Sequence, residues 1–255
     1  MKKKPLFLIS NDDSINSKGL EILINIVKPF GDIVVVAPIE AHSGMSHAIT
    51  MRFPLTFEKI KEEKHLQIYK CSGYPVDCVK IALNEILEKK PDYILSGINH
   101  GSNSSVAVIY SGTMAIAIEG TLHSIPSVGF SIENFNLDAD FSNVEKYISV
   151  ILKNLIKNGI PKGVCLNVNI PKDVKKVKGI KICKEAKGKW QEIFVKRKHP
   201  YGKDYFWLTG EFVDLENDKE KSDVFALQNN YIAITPIKID WTDYKTIKEL
   251  EEWDL

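Results

Sequence analysis

The sequence predicts an α/β protein with three layers around a largely parallel sheet and a C-terminal β-hairpin and helix extension. Three observations predict it. Short β-branched runs alternate with helix-periodic segments between Leu6 and Pro171. Polar clusters follow three of those runs, where ligands bind in open α/β sheets. Beyond Pro171 lysines crowd the chain and two aromatic segments flank HPYGK, the pattern of a long hairpin.

The elements follow in order. Leu6 to Ile9 is too short for a helix and reads as a buried strand ending at Asn11, Asp12 and Asp13. Leu20, Leu23, Ile24 and Val27 then share one helical face, and Pro29 and Gly31 stop that helix. Ile33 to Ala37 is the β-branched type of strand buried on both faces. Pro38 opens the loop PIEAHSGMSHAIT, rich in Ser and His. Strands are expected near Leu55 to Glu58 and Leu66 to Cys71, with KIKEEKH as a solvated turn between them. Val76 to Glu88 reads as a helix, and Tyr93 to Ser96 as a short strand running into GINHGSNS. Ser111 or Thr113 can cap a helix that is small or apolar nearly all round, hence buried. Ser127 to Ser131, an amphipathic helix from Val144 to Leu155, and the strand GVCLNVNIP complete the alternation. WQEIFVKR and DYFWLTGEF form the hairpin, Ser222 or Asp223 caps a helix over VFALQ, Tyr231 to Thr235 is a last strand, and a polar helix spans Tyr244 to Trp253.

The totals exclude several classes. At 255 residues, 44% hydrophobic and 26% charged, the chain is neither disordered nor collagen-like. A net charge of +1 argues against nucleic-acid binding by bulk charge, and the basic hairpin reads as an oligomer contact rather than a nucleic-acid arm. Cys71, Cys78, Cys165 and Cys183 show neither CxxC nor zinc spacing and read as buried thiols. The apolar run behind Met1 to Lys4 is too short for a signal peptide, and no stretch reaches the ~18 apolar residues of a membrane helix. A cytoplasmic protein is expected.

Chemistry concentrates in three loops: Asn11, Asp12 and Asp13; His42, Ser43 and His47; Asn99, His100 and Asn103. With the helix start at Ser111, Gly112 and Thr113 they gather oxygen ligands beside an anion-binding helix terminus. Crowded aspartates call for a cation, and this oxygen-rich set suits Mg²⁺ or Mn²⁺ better than zinc. Each piece also has a plainer reading: an Asn-Asp-Asp turn, a Ser-Gly turn, a helix cap, a hydrogen-bonded surface His.

The blocks NDDSINSKG, AHSGMSH, GYPVDCVKIAL, SGINHGSN and YSGTMAIAIEG resemble, in order and spacing, the SurE survival-protein family of metal-dependent nucleoside monophosphate phosphatases. The Ser222 to Pro236 segment resembles that family's tail. The resemblance implies a single domain over 1–255, with a Rossmann-like core over 1–171 and an extension over 172–255 exchanged between subunits of a homodimer or homotetramer. It implies one divalent metal per subunit, Mg²⁺ or Mn²⁺, on Asp12, Asp13, Ser43 and Asn99. Asn99, Asn103, Ser111, Gly112 and Thr113 would meet the phosphate, and Asp12, Asp13 and Asn99 would carry catalysis. The implied reaction is hydrolysis of nucleoside 5'-monophosphates, and of 3'-monophosphates as an extension, with no membrane or nucleic-acid partner. Three positions depart from the family pattern: Ser14 replaces a usual Gly, His42 a basic residue, and Tyr74 a Thr. The rival readings are a haloacid-dehalogenase-type hydrolase, which needs Asp-x-Asp rather than adjacent aspartates, and a non-catalytic nucleotide sensor, which lacks GxGxxG and Walker loops.

Overall fold

The computed structural model describes residues 4–136 and 138–254. Nine strands form one sheet in the order β3-β4-β2-β1-β5-β6-β7-β11-β8. Its parallel centre comprises β1 (Leu6–Ser10), β2 (Asp32–Pro38), β4 (Leu66–Cys71), β5 (Tyr93–His100), β6 (Ser127–Ile132) and β7 (Val164–Ile170). β11 (Tyr231–Lys238) runs antiparallel to β7 and carries the short β8 (Gly179–Ile182) beside it. β3 (Phe57–Glu63) closes the other edge, antiparallel to β4.

Successive residues of the central strands feed opposite layers, as the two-residue period requires. Phe7, Ile9, Ile33 and Val35 enter the core beneath α1 (Lys18–Val27) and α4 (Val144–Asn158), while Leu6, Leu8, Val34 and Val36 face α2 (Pro75–Ile81) and α3 (Gly112–Leu122). Burial of this kind contributes roughly 1.5–3 kcal/mol for each fully enclosed Leu, Ile or Phe. The consequence for function is positional: β2 and β5 lie on opposite sides of β1, so the chain leaves β1 at a switch point of strand order.

The predicted fold class is observed, with five local differences. Lys59 to Glu63 is strand rather than turn; every residue of β3 is exposed, and its charges cover a sheet edge. β5 continues through Gly97 to His100, so Asn99 and His100 sit on the strand end rather than in the following loop. Ser105–Tyr110 forms a 3₁₀ helix, and β8 is present; neither has a hydrophobic period long enough to read. α2 ends at Ile81 and passes into one wide helical turn, Ala82–Ile86.

β9 (Gly188–Lys198) and β10 (Asp204–Asp214) form the expected hairpin, a two-stranded sheet separate from the main one. Phe194, Phe206, Trp207 and Leu208 on it are exposed. α5 (Asp223–Gln228) is capped by Ser222, and α6 (Tyr244–Leu250) is the last helix of the described residues. All four cysteines are buried free thiols. No helix among the described residues is long and apolar enough to cross a membrane.

Candidate active site

The paired aspartates leave the carboxyl end of β1 in different environments. Asp12 is 3% exposed and accepts a hydrogen bond from Thr113 Oγ1 at 2.5 Å. Burial pushes its carboxyl up to about 7; the Asp13 charge acts in the same direction and the Thr113 hydrogen bond opposes it. Asp13 reaches across to the end of β5, where its Oδ2 accepts from the His100 backbone N–H at 3.0 Å and lies 3.1 Å from His100 Nδ1. Asn11 takes the plainer role: its amide donates to Ser14 O and to Ser17 Oγ, pinning the turn that leads into α1. Ser14 in that turn has φ of 90°, a conformation that favours glycine.

α3 begins against Asp12. Ser111 is its N-cap and accepts from the Met114 N–H at 3.0 Å, which leaves the Gly112 and Thr113 amides as first-turn donors without an intrahelical acceptor. A Cβ on Gly112 would lie 2.8 Å from Asp12 Cβ and 2.9 Å from Asp12 Oδ2. Only a glycine lets the helix start approach that carboxylate so closely. A carboxylate and a positive helix end thus meet at one point, as expected for a site that receives both a cation and an anion.

Asn99 is 8% exposed at the end of β5, and its Nδ2 donates to Gly101 O, which fixes the amide plane. Ser43 is exposed on the loop after β2; the neighbouring His42 N–H donates to Asp12 O at 2.8 Å, so the loop lies along the aspartate turn. Asn103 is held on three sides: its N–H donates to Asn169 Oδ1, its Nδ2 to Ser131 Oγ, and its carbonyl accepts from Asn167 Nδ2. Its amide nitrogen is therefore committed to holding the loop. Asn167 and Asn169 were not anticipated as site supports, although alternate polar residues inside the apolar run VCLNVNI were a usable signal. Of the loop histidines, His100 contacts Asp13, His42 packs edge-on against Tyr74 with ring centroids 4.9 Å apart, and His47 turns away to Glu119.

The donor set fits a hard divalent cation. Two adjacent carboxylates, one buried and raised toward neutrality by its surroundings, gain most from a positive charge. Among the described residues no three His, Cys, Asp or Glu side chains gather in metal-binding geometry. A cation here would accordingly need the neutral oxygens of Ser43 and Asn99 beside the two carboxylates, the ligand chemistry of Mg²⁺ or Mn²⁺.

Fold and site together define a Rossmann-like α/β protein with an acidic cluster beside a helix start at the carboxyl edge of its parallel sheet. The chain belongs to the SurE survival protein family, whose pattern it matches over residues 7–192. It is 49% identical to the 5'-nucleotidase SurE of Christiangramia forsetii, covering 100% of this chain and 98% of that protein. It is 41% identical to the 5'-nucleotidase SurE of Caldanaerobacter subterraneus subsp. tengcongensis, covering 99% and 98%. The crystal structure of the SurE protein from Aquifex aeolicus superposes with a TM-score of 0.83 at 37% identity, covering 97% of this chain and 98% of that one.

Proposed function

We propose that the chain is a 5'-nucleotidase: a divalent-metal-dependent phosphomonoesterase that hydrolyses nucleoside 5'-monophosphates, and by extension 3'-monophosphates, to nucleoside and phosphate. The observation that carries this reading is the meeting of buried Asp12 with the first turn of α3, where Thr113 grips the carboxylate and Gly112 leaves room for it. Relatives that carry the 5'-nucleotidase name align with essentially the whole chain, which supports the same activity here.

In this reading Asp12, Asp13, Ser43 and Asn99 hold Mg²⁺ or Mn²⁺, which when bound supplies Lewis acidity toward a phosphoryl oxygen and toward water. Thr113 and His100 keep the two carboxylates apart and aimed, so the site needs little rearrangement when substrate arrives. The Gly112 and Thr113 amides face the substrate phosphate and stabilise charge as the ester bond breaks; Ser111 fixes that helix start. Asn103 positions the loop between β5 and α3. Either water or an aspartate oxygen is the nucleophile, and trapping a phosphoaspartate, against solvent ¹⁸O incorporation without one, separates the two.

The exposed aromatics of the β9–β10 hairpin support a homodimer or homotetramer in which a second copy covers them. Four buried free thiols suit a reducing cytoplasm. Assaying AMP, GMP and p-nitrophenyl phosphate with Mg²⁺ or Mn²⁺, with and without chelator, tests the reading. Metal-dependent release of phosphate from the nucleotides, reduced at least about 100-fold by Asp13→Asn, is expected. Inactivity with every metal, or full activity of Asp13→Asn, would contradict it.

A further inference from the structure

The loop that carries Ser43 has no regular secondary structure from Glu40 to Thr50, and Met45 and Ile49 in it are exposed. It is nevertheless fastened at several points. Ser46 donates through its N–H to Tyr110 O at 3.0 Å and through Oγ to Ile109 O at 2.7 Å, tying it to the 3₁₀ helix before Ser111. Its two strongest fastenings are to buried carboxylates outside the ligand set, one on α2 and one on α3. Asp77 of α2, 2% exposed, accepts from the Thr50 N–H at 3.1 Å, from Thr50 Oγ1 at 2.6 Å and from the Tyr74 N–H at 2.9 Å. Glu119 of α3, 3% exposed, lies 3.1 Å from His47 Nε2 and accepts from Lys80 Nζ at 2.6 Å, with His123 Nε2 at 3.2 Å.

Asp77 holds Thr50 and Glu119 holds His47, so both clamps act on the stretch just after Ser43, while the His42 N–H holds the stretch just before it to Asp12 O. Opening the loop takes hydrogen bonds away from each buried carboxylate, although Lys80 and His123 stay on Glu119 and the Tyr74 N–H on Asp77, so each clamp resists opening. We propose that Asp77 and Glu119 are positioning residues that hold the 40–50 loop so that Ser43 reaches the Asp12 and Asp13 pair. They set the site's affinity for the divalent cation without touching cation or substrate. The inference rests on the assignment of Ser43 as a ligand in the function proposed above. Supports outside the ligand set commonly change metal affinity by about 10–100-fold.

The test is a double-mutant cycle read as Mn²⁺ affinity, by electron paramagnetic resonance of free Mn²⁺, on the full chain without substrate. Glu119→Gln and Asp77→Asn address the clamps from the helices. His47→Ala with Thr50→Val loosens the same loop from its own side, removing the His47 contact and the Thr50 Oγ1 bond while the Thr50 N–H still donates to Asp77, and leaves both buried carboxylates in place, which keeps the test informative if a helix variant fails to fold. Each releasing variant is expected to weaken Mn²⁺ binding about tenfold, to speed amide hydrogen exchange at Ser46 and Thr50, and to add no further weakening in a Ser43→Ala background. Losses that simply add to that of Ser43→Ala, or unchanged affinity in the His47→Ala/Thr50→Val protein, would overturn the clamp. Unchanged affinity in Ser43→Ala alone would instead overturn the ligand assignment, and with it the premise of the clamp.

Discussion

Ser14 and Gly112 show how single residues set this site. Ser14 holds φ of 90° immediately after the aspartate pair, where a side chain costs on the order of 1 kcal/mol relative to glycine. Ser14→Gly is therefore expected to raise stability by up to about 1 kcal/mol in urea denaturation, the gain being trimmed by the extra freedom glycine gives the unfolded chain. The departure from the family's usual glycine was visible in the sequence, but its cost follows only from the backbone angle. Gly112 works the other way. A methyl group there would collide with Asp12 itself, so Gly112→Ala is expected to retain the fold while cutting phosphatase activity about 100-fold, measured as kcat/KM on AMP. An unchanged rate would mean that the closeness of helix and carboxylate is not used.

At the scale of elements, strand ends and helix starts were readable because burial writes a period into the sequence. The polar clusters after β1 and β2 and the cap at Ser111 occupy the places their residue types imply. The end of β5 was not readable, since GINH carries no apolar run, and so Asn99 was expected in a loop. Buried carboxylates were missed too. Glu119 is one charge in the otherwise apolar run TMAIAIEG, a signal that it must be partnered, but its partners come from residues 47, 80 and 123 and only folding brings them together. Burial alone would raise Glu119, yet hydrogen bonds from His47 and Lys80, and the charge of Lys80, hold it at about 2. Its folded value lies below its ordinary value of 4.5, so its contribution to stability is complete above about pH 4.5 and is lost as pH falls toward 2. Denaturation midpoints are expected to fall over that window in the wild type and to fall less in Glu119→Gln. Equal slopes would mean that the Glu119 carboxylate does not set the acid limb of stability.

For the whole molecule, the sheet order explains why residues from three separate strand ends converge: β2, β1 and β5 are neighbours ending on the same edge, on either side of the switch point. The antiparallel return of β11 beside β7 was not legible, because a strand's direction depends on the path of the chain between strands rather than on its composition. The hairpin was legible from its aromatics and turn. It forms a two-stranded sheet separate from the nine-stranded one, with Phe194, Phe206, Trp207 and Leu208 exposed, and a second copy is the proposed cover. Removal of residues 189–212 is expected to reduce the mass seen by light scattering to that of a monomer; an unchanged oligomer would contradict that role.

Asp12 and Asp13 are proposed to form half of a divalent-cation site completed by Ser43 and Asn99. Anomalous diffraction from crystals soaked in Mn²⁺ tests it most directly. A single strong peak is expected within coordination distance of Asp12, Asp13, Ser43 and Asn99, lost in Asp13→Asn. Absence of a peak there in crystals that bind Mn²⁺ elsewhere, or its persistence in Asp13→Asn, would contradict it.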